Sequence, residues 1–477
     1  MKYIVAIDNG SQSTKVSIVD AEGRIHARAR VGLAPYASPE AGHVVHPDDD
    51  VWDSIASACR AALSRFTGDP SEIAAVGLCT IRFCRAILDQ DGRLVEPMLS
   101  WMDARVGLPY ARTTERARYV TTSSGYITHR LTGAFRDTAA NYQGVWPIDT
   151  RTWRWSADAD AFAATGMPRE MLFDLVDPGD QLGTVTERAA HVTGLPVGVA
   201  VYATANDKAV EALGAGLRSE SELLLSLGTY ISSMTIGSEV RDSDAYWVNF
   251  GAQPGRYLYE SDGIRRGMWT VSWFRSLLES ENPEAGDGDG DRLYELEGRL
   301  NIGAAEVPPG SNGLMTVLDW LAPADAPYRR GALLGFDGSH GRFHIHRSIL
   351  EGIAFTMADH AAAMASALHR EFDTVILSGG GARSDLMAEI VANVFGVRVV
   401  RTETDDAAGM GAAICAAVGS GMHSSWEDAS ARMVRHVSSV QPTAETSRAY
   451  ESYHTVHTEL RARTSELFRW VSSTLAS

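Results

Sequence analysis

Cysteine is scarce in this chain. The four present in 477 residues, Cys59, Cys79, Cys84 and Cys415, have no spacing that suits a metal. Cys79 and Cys84 lie at odd separation in a strand-like run, which directs them to opposite faces and away from pairing. All four read as reduced thiols of a cytoplasmic protein. No apolar run reaches 18 residues, so no transmembrane helix is expected. The first residues already read as a strand, so no signal peptide is expected. Basic residues are outnumbered, 43 Lys and Arg against 60 Asp and Glu. The resulting net charge of −17 argues against nucleic acid and against an anionic membrane as partner. The Gly-x4-Gly-Lys-Ser/Thr phosphate loop is also absent.

What is present is an ordinary soluble composition, 45% apolar and 22% charged, long enough for two or three domains. The chain opens on Ile4-Val5-Ala6-Ile7-Asp8-Asn9-Gly10-Ser11-Gln12-Ser13-Thr14-Lys15, then a second apolar run from Val16 to Asp20. This predicts a tight β-hairpin. Gly10 lets the backbone approach a ligand, and the surrounding hydroxyls add to the turn amides. The turn suits phosphate oxygens, and Asp8 is placed to hold Mg²⁺. An ordinary hairpin turn is the competing reading, and later stretches weaken it. Asp48 to Asp50 start a helix with the apolar face Val51, Trp52, Ile55, Ala58, Cys59, Ala62 and Leu63, and are read as capping. Residues 73–79 read as a buried strand, and Cys84 to Leu88 as a second. Arg82, between them, has either a structural carboxylate partner or a polar ligand to hold.

From Val199 an apolar run is read as a strand ending in Asp207, followed by a small-residue helix. A carboxylate at such a strand end sits where α/β folds place their chemistry. A helix N-cap is the other reading of Asp207, and both can hold. Glu222 to Met234 repeats the strand, Gly-hydroxyl turn, strand order, with Gly228 and Thr229 in the turn. Two such hairpins would grip one phosphate chain from both sides. A domain boundary is expected near 236–245. Residues 284–292 resemble a calcium loop only briefly: counted from Asp287, position six is Arg292 and position twelve Gly298, so a solvated surface loop is expected. Residues 345–367 predict one long helix. Val375 to Asp385 is a buried strand ending in Gly379, Gly380 and Gly381, then Ala382 and a helix from about Ser384; such a turn lets a ring or phosphate lie on the backbone. Asp406 to Ala413 starts a helix of small residues that must pack very closely, and 444–475 reads as an amphipathic helix.

In this order, the motifs resemble the FGGY family of carbohydrate kinases over nearly the whole chain. Asp8 to Lys15 is similar to that family's first phosphate motif, Leu227-Gly228-Thr229 to its second, and Ser378 to Arg383 to its adenosine motif. Gly331 to Gly335, followed by His344 to Glu351, is similar to its C-terminal signature, with Phe336 where a smaller aliphatic residue is usual. The resemblance implies an α/β fold of two actin-like, hexokinase-like (ribonuclease H-like) domains with a cleft between them. The expected divisions are 1–240, 241–435 and a helical tail, 436–477. It implies transfer of the ATP γ-phosphoryl group to a small sugar or polyol. Asp207 takes the position of the catalytic base, and Asp8 that of a Mg²⁺ ligand. Gly10, Ser11, Gln12, Ser13, Thr14, Lys15, Gly228 and Thr229 would hold phosphates, and Gly379, Gly380, Gly381 and Ala382 the adenosine. Arg82, Phe83, Trp101 and Asp103 would line the sugar. Two departures stand out. The stretch from Asp103 to Thr132 is shorter than the family norm, so a difference in the sugar-side wall or in a subunit contact is expected there, and a homodimer is left open. Xylulokinases have Met-His where this chain has Arg82-Phe83, and glycerol kinases follow their Arg with Glu. A nucleotide-binding sugar sensor, or a non-sugar kinase or ATPase of the same superfold, is the alternative.

Overall fold

The computed structural model describes residues 2–279, 290–323 and 325–475. The main elements of the first half are β1 (Tyr3–Asn9), β2 (Ser13–Asp20), β3 (Ile25–Gly32), α1 (Asp50–Arg65), β4 (Ile73–Thr80), β5 (Arg85–Leu88), β6 (Tyr119–Thr122), α2 (Ser123–Thr132), β7 (Gln181–Thr184), β8 (Ala200–Tyr202) and α3 (Asp207–Gly214). The second half follows with β9 (Glu222–Leu227), β10 (Ile231–Gly237), β11 (Trp247–Phe250), β12 (Tyr257–Glu260), α4 (Gly267–Glu279), α5 (Arg342–Leu368), β13 (Thr374–Ser378), α6 (Asp385–Phe395), β14 (Arg398–Thr402), α7 (Ala407–Gly419), β15 (His436–Val440) and α8 (Ala444–Leu475).

Each half is built on one mixed sheet. The first has the order β7-β8-β4-β1-β2-β3, the second β11-β12-β10-β9-β13-β14-β15. In both, a hairpin (β1–β2, β9–β10) supplies a central strand that pairs in parallel with a later strand, β4 or β13. β1 is buried along its whole length, as expected for a strand covered on both faces. β3, near the edge, alternates between buried Ala27 and Ala29 and exposed neighbours, and packs one face on α1.

The two halves meet through small residues. α7 lies against α3, β1 and β4, so a helix late in sequence packs on the first sheet. A methyl group added at Gly214 would overlap the Ala407 carbonyl, and one at Gly411 the Val210 carbonyl. The close packing expected of 406–413 is therefore helix against helix. α8 docks on α5 through a buried cluster: Arg347 donates to Glu351 (2.8 Å) and to the Tyr450 hydroxyl (2.9 Å), which in turn donates to Glu351 (2.9 Å). The signature residues Arg347 and Glu351 thus anchor the C-terminal helix.

Several local expectations change. Asp49 caps α1 in position only: its carboxylate accepts from Tyr126 (2.6 Å) and Arg130 on α2. β5 leaves the main sheet to pair with β6, and the four thiols are all free and buried. The change of sheet comes between Gly214 and Glu222, ahead of the boundary expected at 240, because β9 and β10 hydrogen-bond only within the second sheet. The tail expected to be helical begins with β15, an edge strand of that sheet. Residues 284–289 of the acid-rich stretch lie outside the described residues. Among the described residues, no helix is long and apolar enough to cross a membrane.

Candidate active site

The ends of β1 and β4 gather three carboxylates. Asp8, 5% exposed, ends the apolar run of β1 opposite Lys15 on β2 and Cys79 on β4. The Lys15 ammonium donates to Asp8 (3.0 Å) and to Asp406 (3.3 Å), which caps α7 from the second half. Burial, then the Asp406 charge, pushes the Asp8 carboxyl up to about 7 against the pull of Lys15. The third carboxylate is Asp207. β8 stops at Tyr202, five residues short of the strand end expected from the sequence, and Asp207 is the first residue of α3. The cap is Asn206, whose side chain accepts from the Ala209 N–H (3.1 Å). Its amide donates to the Ala140 carbonyl (3.1 Å) and the Phe250 carbonyl (3.4 Å), fixing the helix start to both halves. The capping role thus falls one residue earlier, and the Asp207 side chain, 28% exposed, lies beside Arg82. Burial raises its carboxyl, with Arg82 and Lys208 opposing. The buried Cys79 thiol registers the convergence: after burial itself, the charges of Asp8, Asp207 and Asp406 all raise it.

Arg82 lies beside Asp207, with Nε 3.4 Å from Oδ1. Its two amino groups donate to Glu260 at the end of β12, at 2.8 and 3.0 Å. Trp247 and Phe83 cover the guanidinium, 4.8 and 5.2 Å from their ring centres. Phe83 takes a left-handed backbone (φ 65°), which turns the chain out of the β4 end. In place of a Glu following the Arg, then, a carboxylate reaches Arg82 from the other half. Trp101 is 46% exposed. Asp103 is fully engaged: it accepts from the Val44 N–H (2.8 Å), the Arg105 N–H (2.9 Å) and the Arg105 guanidinium (2.7 and 2.8 Å). Burial would raise it, yet these donors hold it at about 2. Its geometry is that of a loop clamp.

The first turn divides by face. Ser11 and Gln12 are exposed, while Thr14 is buried and shares hydrogen bonds with Asn9 (2.8 Å) and Ser54 (2.7 Å). Ser13 accepts from Arg30 (2.9 Å), and the Gly10 N–H donates to the Ser13 carbonyl (3.1 Å). Thr14 therefore supports the turn from behind. In the second half, Gly379 (φ +82°) passes directly over the second turn, where an added Cβ would stand 2.8 Å from the Leu227 carbonyl oxygen. Gly381 packs as closely on Met268, and Gly380 has open space. Beyond them opens a cavity of about 650 Å³ lined by Ser378, Gly379, Ala382, Arg401 and Thr402, a size that admits a nucleoside. Asp405 at its rim accepts from Arg28 of the first sheet (3.1 Å) and from Arg383 (2.6 Å).

Sequence reasoning missed Asp406, Glu260 and the pair Lys208–Glu211. Lys208 donates to Glu211 (2.7 Å) and Ser226 (2.7 Å), and Ser378 donates to Glu211 (2.5 Å). This network ties α3 to the ends of β9 and β13. Asp406 had a local signal, an acidic pair before a small-residue helix. Glu260 had only its place at the end of an apolar strand. Among the described residues no group of three or more His, Cys, Asp or Glu could hold a metal. Two buried carboxylates facing one ammonium do suit Mg²⁺, which keeps most of its waters and takes one or two carboxylates plus phosphate oxygens.

The N-terminal domain model of the FGGY family of carbohydrate kinases matches residues 3–107 and 109–214, and its C-terminal domain model matches 223–420. The break at 108 lies in the segment read as shortened. The gap at 215–222 coincides with the change of sheet. The sugar kinase YgcE of Escherichia coli, described as uncharacterized, is 44% identical over 455 residues, 94% of this chain and 91% of that protein. A xylulose kinase of Bacillus subtilis is 24% identical over 98% of each chain. Among solved structures, the xylulose kinase of Rhodospirillum rubrum superposes with a TM-score of 0.81 at 23% identity, over 98% of this chain and 100% of that one. The likeness shows a common two-domain actin-like fold.

Proposed function

The chain belongs to the FGGY family of carbohydrate kinases and is an ATP-dependent sugar kinase, and on that premise we propose that it phosphorylates a hydroxyl of a small ketose, such as xylulose, or of a polyol, with Asp207 as general base. The observation that carries this reading is the setting of Asp207, a partly exposed carboxylate at a helix start, held by Arg82, with the buried Cys79 close enough to sense its charge and those of Asp8 and Asp406.

Phosphoryl transfer asks for alignment and charge neutralisation more than for covalent chemistry. Asp207 accepts the acceptor's proton as the bond to phosphorus forms, and burial makes it a better base than an exposed carboxylate. Arg82 fixes its direction through Nε. Asp8 and Asp406 would hold hydrated Mg²⁺, which when bound would neutralise phosphate charge. Lys15 balances the two carboxylates. Backbone at Gly10 to Gln12 and at Gly228-Thr229 takes the phosphates, with Ser13 and Thr14 bracing the first turn. Gly379 to Ala382 takes the adenosine at the mouth of the cavity. The acceptor lies against Phe83 and the exposed face of Trp101. The buried thiols suit a reducing, cytoplasmic setting.

Coupled ADP release with Mg·ATP and single acceptors tests this directly. ADP formed only on addition of a ketose or polyol is expected. ADP formed without acceptor would mark an ATPase, and ATP binding with no ADP in any case would mark a sensor.

A further inference from the structure

We propose that Glu260 sets the charge of the acceptor: by taking up the Arg82 guanidinium it restricts this kinase to uncharged sugars and polyols and excludes sugar acids. The inference rests on the kinase reading and adds the determinant of its substrate class.

Glu260 is fully buried and reaches the acceptor end from the second sheet. It accepts two hydrogen bonds from Arg82 (2.8 and 3.0 Å), one from the Ser232 hydroxyl (3.0 Å) and one from the Asn249 amide (3.2 Å). The third nitrogen of Arg82 faces Asp207 at 3.4 Å, and the Phe83 and Trp247 rings, 6.0 Å apart, crowd the guanidinium from neighbouring directions. Three of its five N–H groups are thus turned to carboxylates, so the cation that a carboxylate-bearing acceptor would need is already paired. Lys208, the next residue after Asp207, turns its ammonium to Glu211 and Ser226 instead. Arg82, Asp207 and Glu260 together carry one net negative charge. An acidic acceptor brought against them meets like charge in a partly dry site, where repulsion is weakly screened.

Uncharged hydrogen-bonding groups remain beside this cluster. The Asn249 Oδ1 is buried without a hydrogen-bond partner among the described residues, as are both amide atoms of Gln143. Gln143 follows the segment Ala139–Asn141, which packs on β11, and its neighbour Gly144 stands beside the Phe83 ring. Buried amides left open are costly, and hydroxyls of a neutral acceptor would satisfy them.

The test compares alditols and ketoses of four to six carbons with the aldonates of the same chain lengths, by ADP release and by calorimetric binding, for the wild-type protein and for Glu260→Gln. A neutral acceptor should exceed its aldonate in kcat/KM by about 100-fold, the size expected of a charge mismatch. Glu260→Gln should narrow that ratio by about 10-fold or more, with the change carried by KM. An aldonate used as well as its alditol would overturn the proposal, as would an unchanged ratio in a folded Glu260→Gln protein. If that variant fails to fold, the wild-type ratio decides. If no acceptor releases ADP, the kinase reading fails, and calorimetry still judges this one: binding of alditols or ketoses but not aldonates supports it, and equal binding or none of either overturns it.

Discussion

The hairpins β1–β2 and β9–β10 are built alike, each an apolar strand, a glycine-hydroxyl turn and a return strand beside a parallel neighbour. Their surroundings are opposite in character. The first carries charge at its tip, with Asp8 and Lys15 side by side and Asp406 brought in from α7. The second has Gly228 and Thr229 at its turn and Gly379 laid across its base. On the proposed function the same local pattern would grip one nucleotide in two ways: electrostatics at the Asp8–Lys15 tip for the phosphates, and shape where Gly379 crosses the second turn toward the nucleoside.

Variants on the two sides should separate these roles. Asp8→Asn removes a charge and leaves the fold of the turn, since the Asn9–Thr14–Ser54 bracing lies on its other face. We expect kcat to fall by about 10²–10³-fold, with the acceptor KM little changed. A fall in acceptor affinity instead would remove Asp8 from the phosphate end. Gly379→Ala tests shape. At φ +82° and 2.8 Å from the Leu227 carbonyl oxygen, a Cβ must displace backbone. The ATP KM should rise by about 10-fold, a loss of nucleotide binding alone, with the acceptor KM unchanged. Equal effects on both substrates would deny the division. Asp103→Asn serves as a control for the acceptor end. It should cost about 1–3 kcal/mol in denaturant unfolding, because a buried carboxylate with four donors loses its charge. Acceptor KM should stay near wild type. A raised acceptor KM at full stability would return Asp103 to the sugar site.

Both hairpins, the glycine turn and the small-residue helix were legible because each is a local pattern: alternation, a turn residue, a run of alanines and glycines. Period-2 alternation even explains Thr14, which must face away from Lys15. Contacts between distant segments were not legible. Arg82 meets Glu260 across 178 residues, and Lys15 meets Asp406 across 391. Asp103 resembled a sugar ligand by motif, yet its partner Arg105 stands two residues away in the same loop. The boundary expected near 240 followed a polar turn, whereas sheet pairing places the change before Glu222. Start positions of helices also shifted, since Asn206 and Asp207 are equally good caps on paper and only the geometry chooses between them.

The central claim is that Asp207 accepts the proton while other residues hold the nucleotide. The most direct test measures nucleotide affinity by calorimetry and acceptor-dependent ADP release in Asp207→Asn. Nucleotide affinity should match wild type while acceptor-dependent turnover falls by about 10²–10⁴-fold. Turnover near the wild-type rate in that variant would contradict the account.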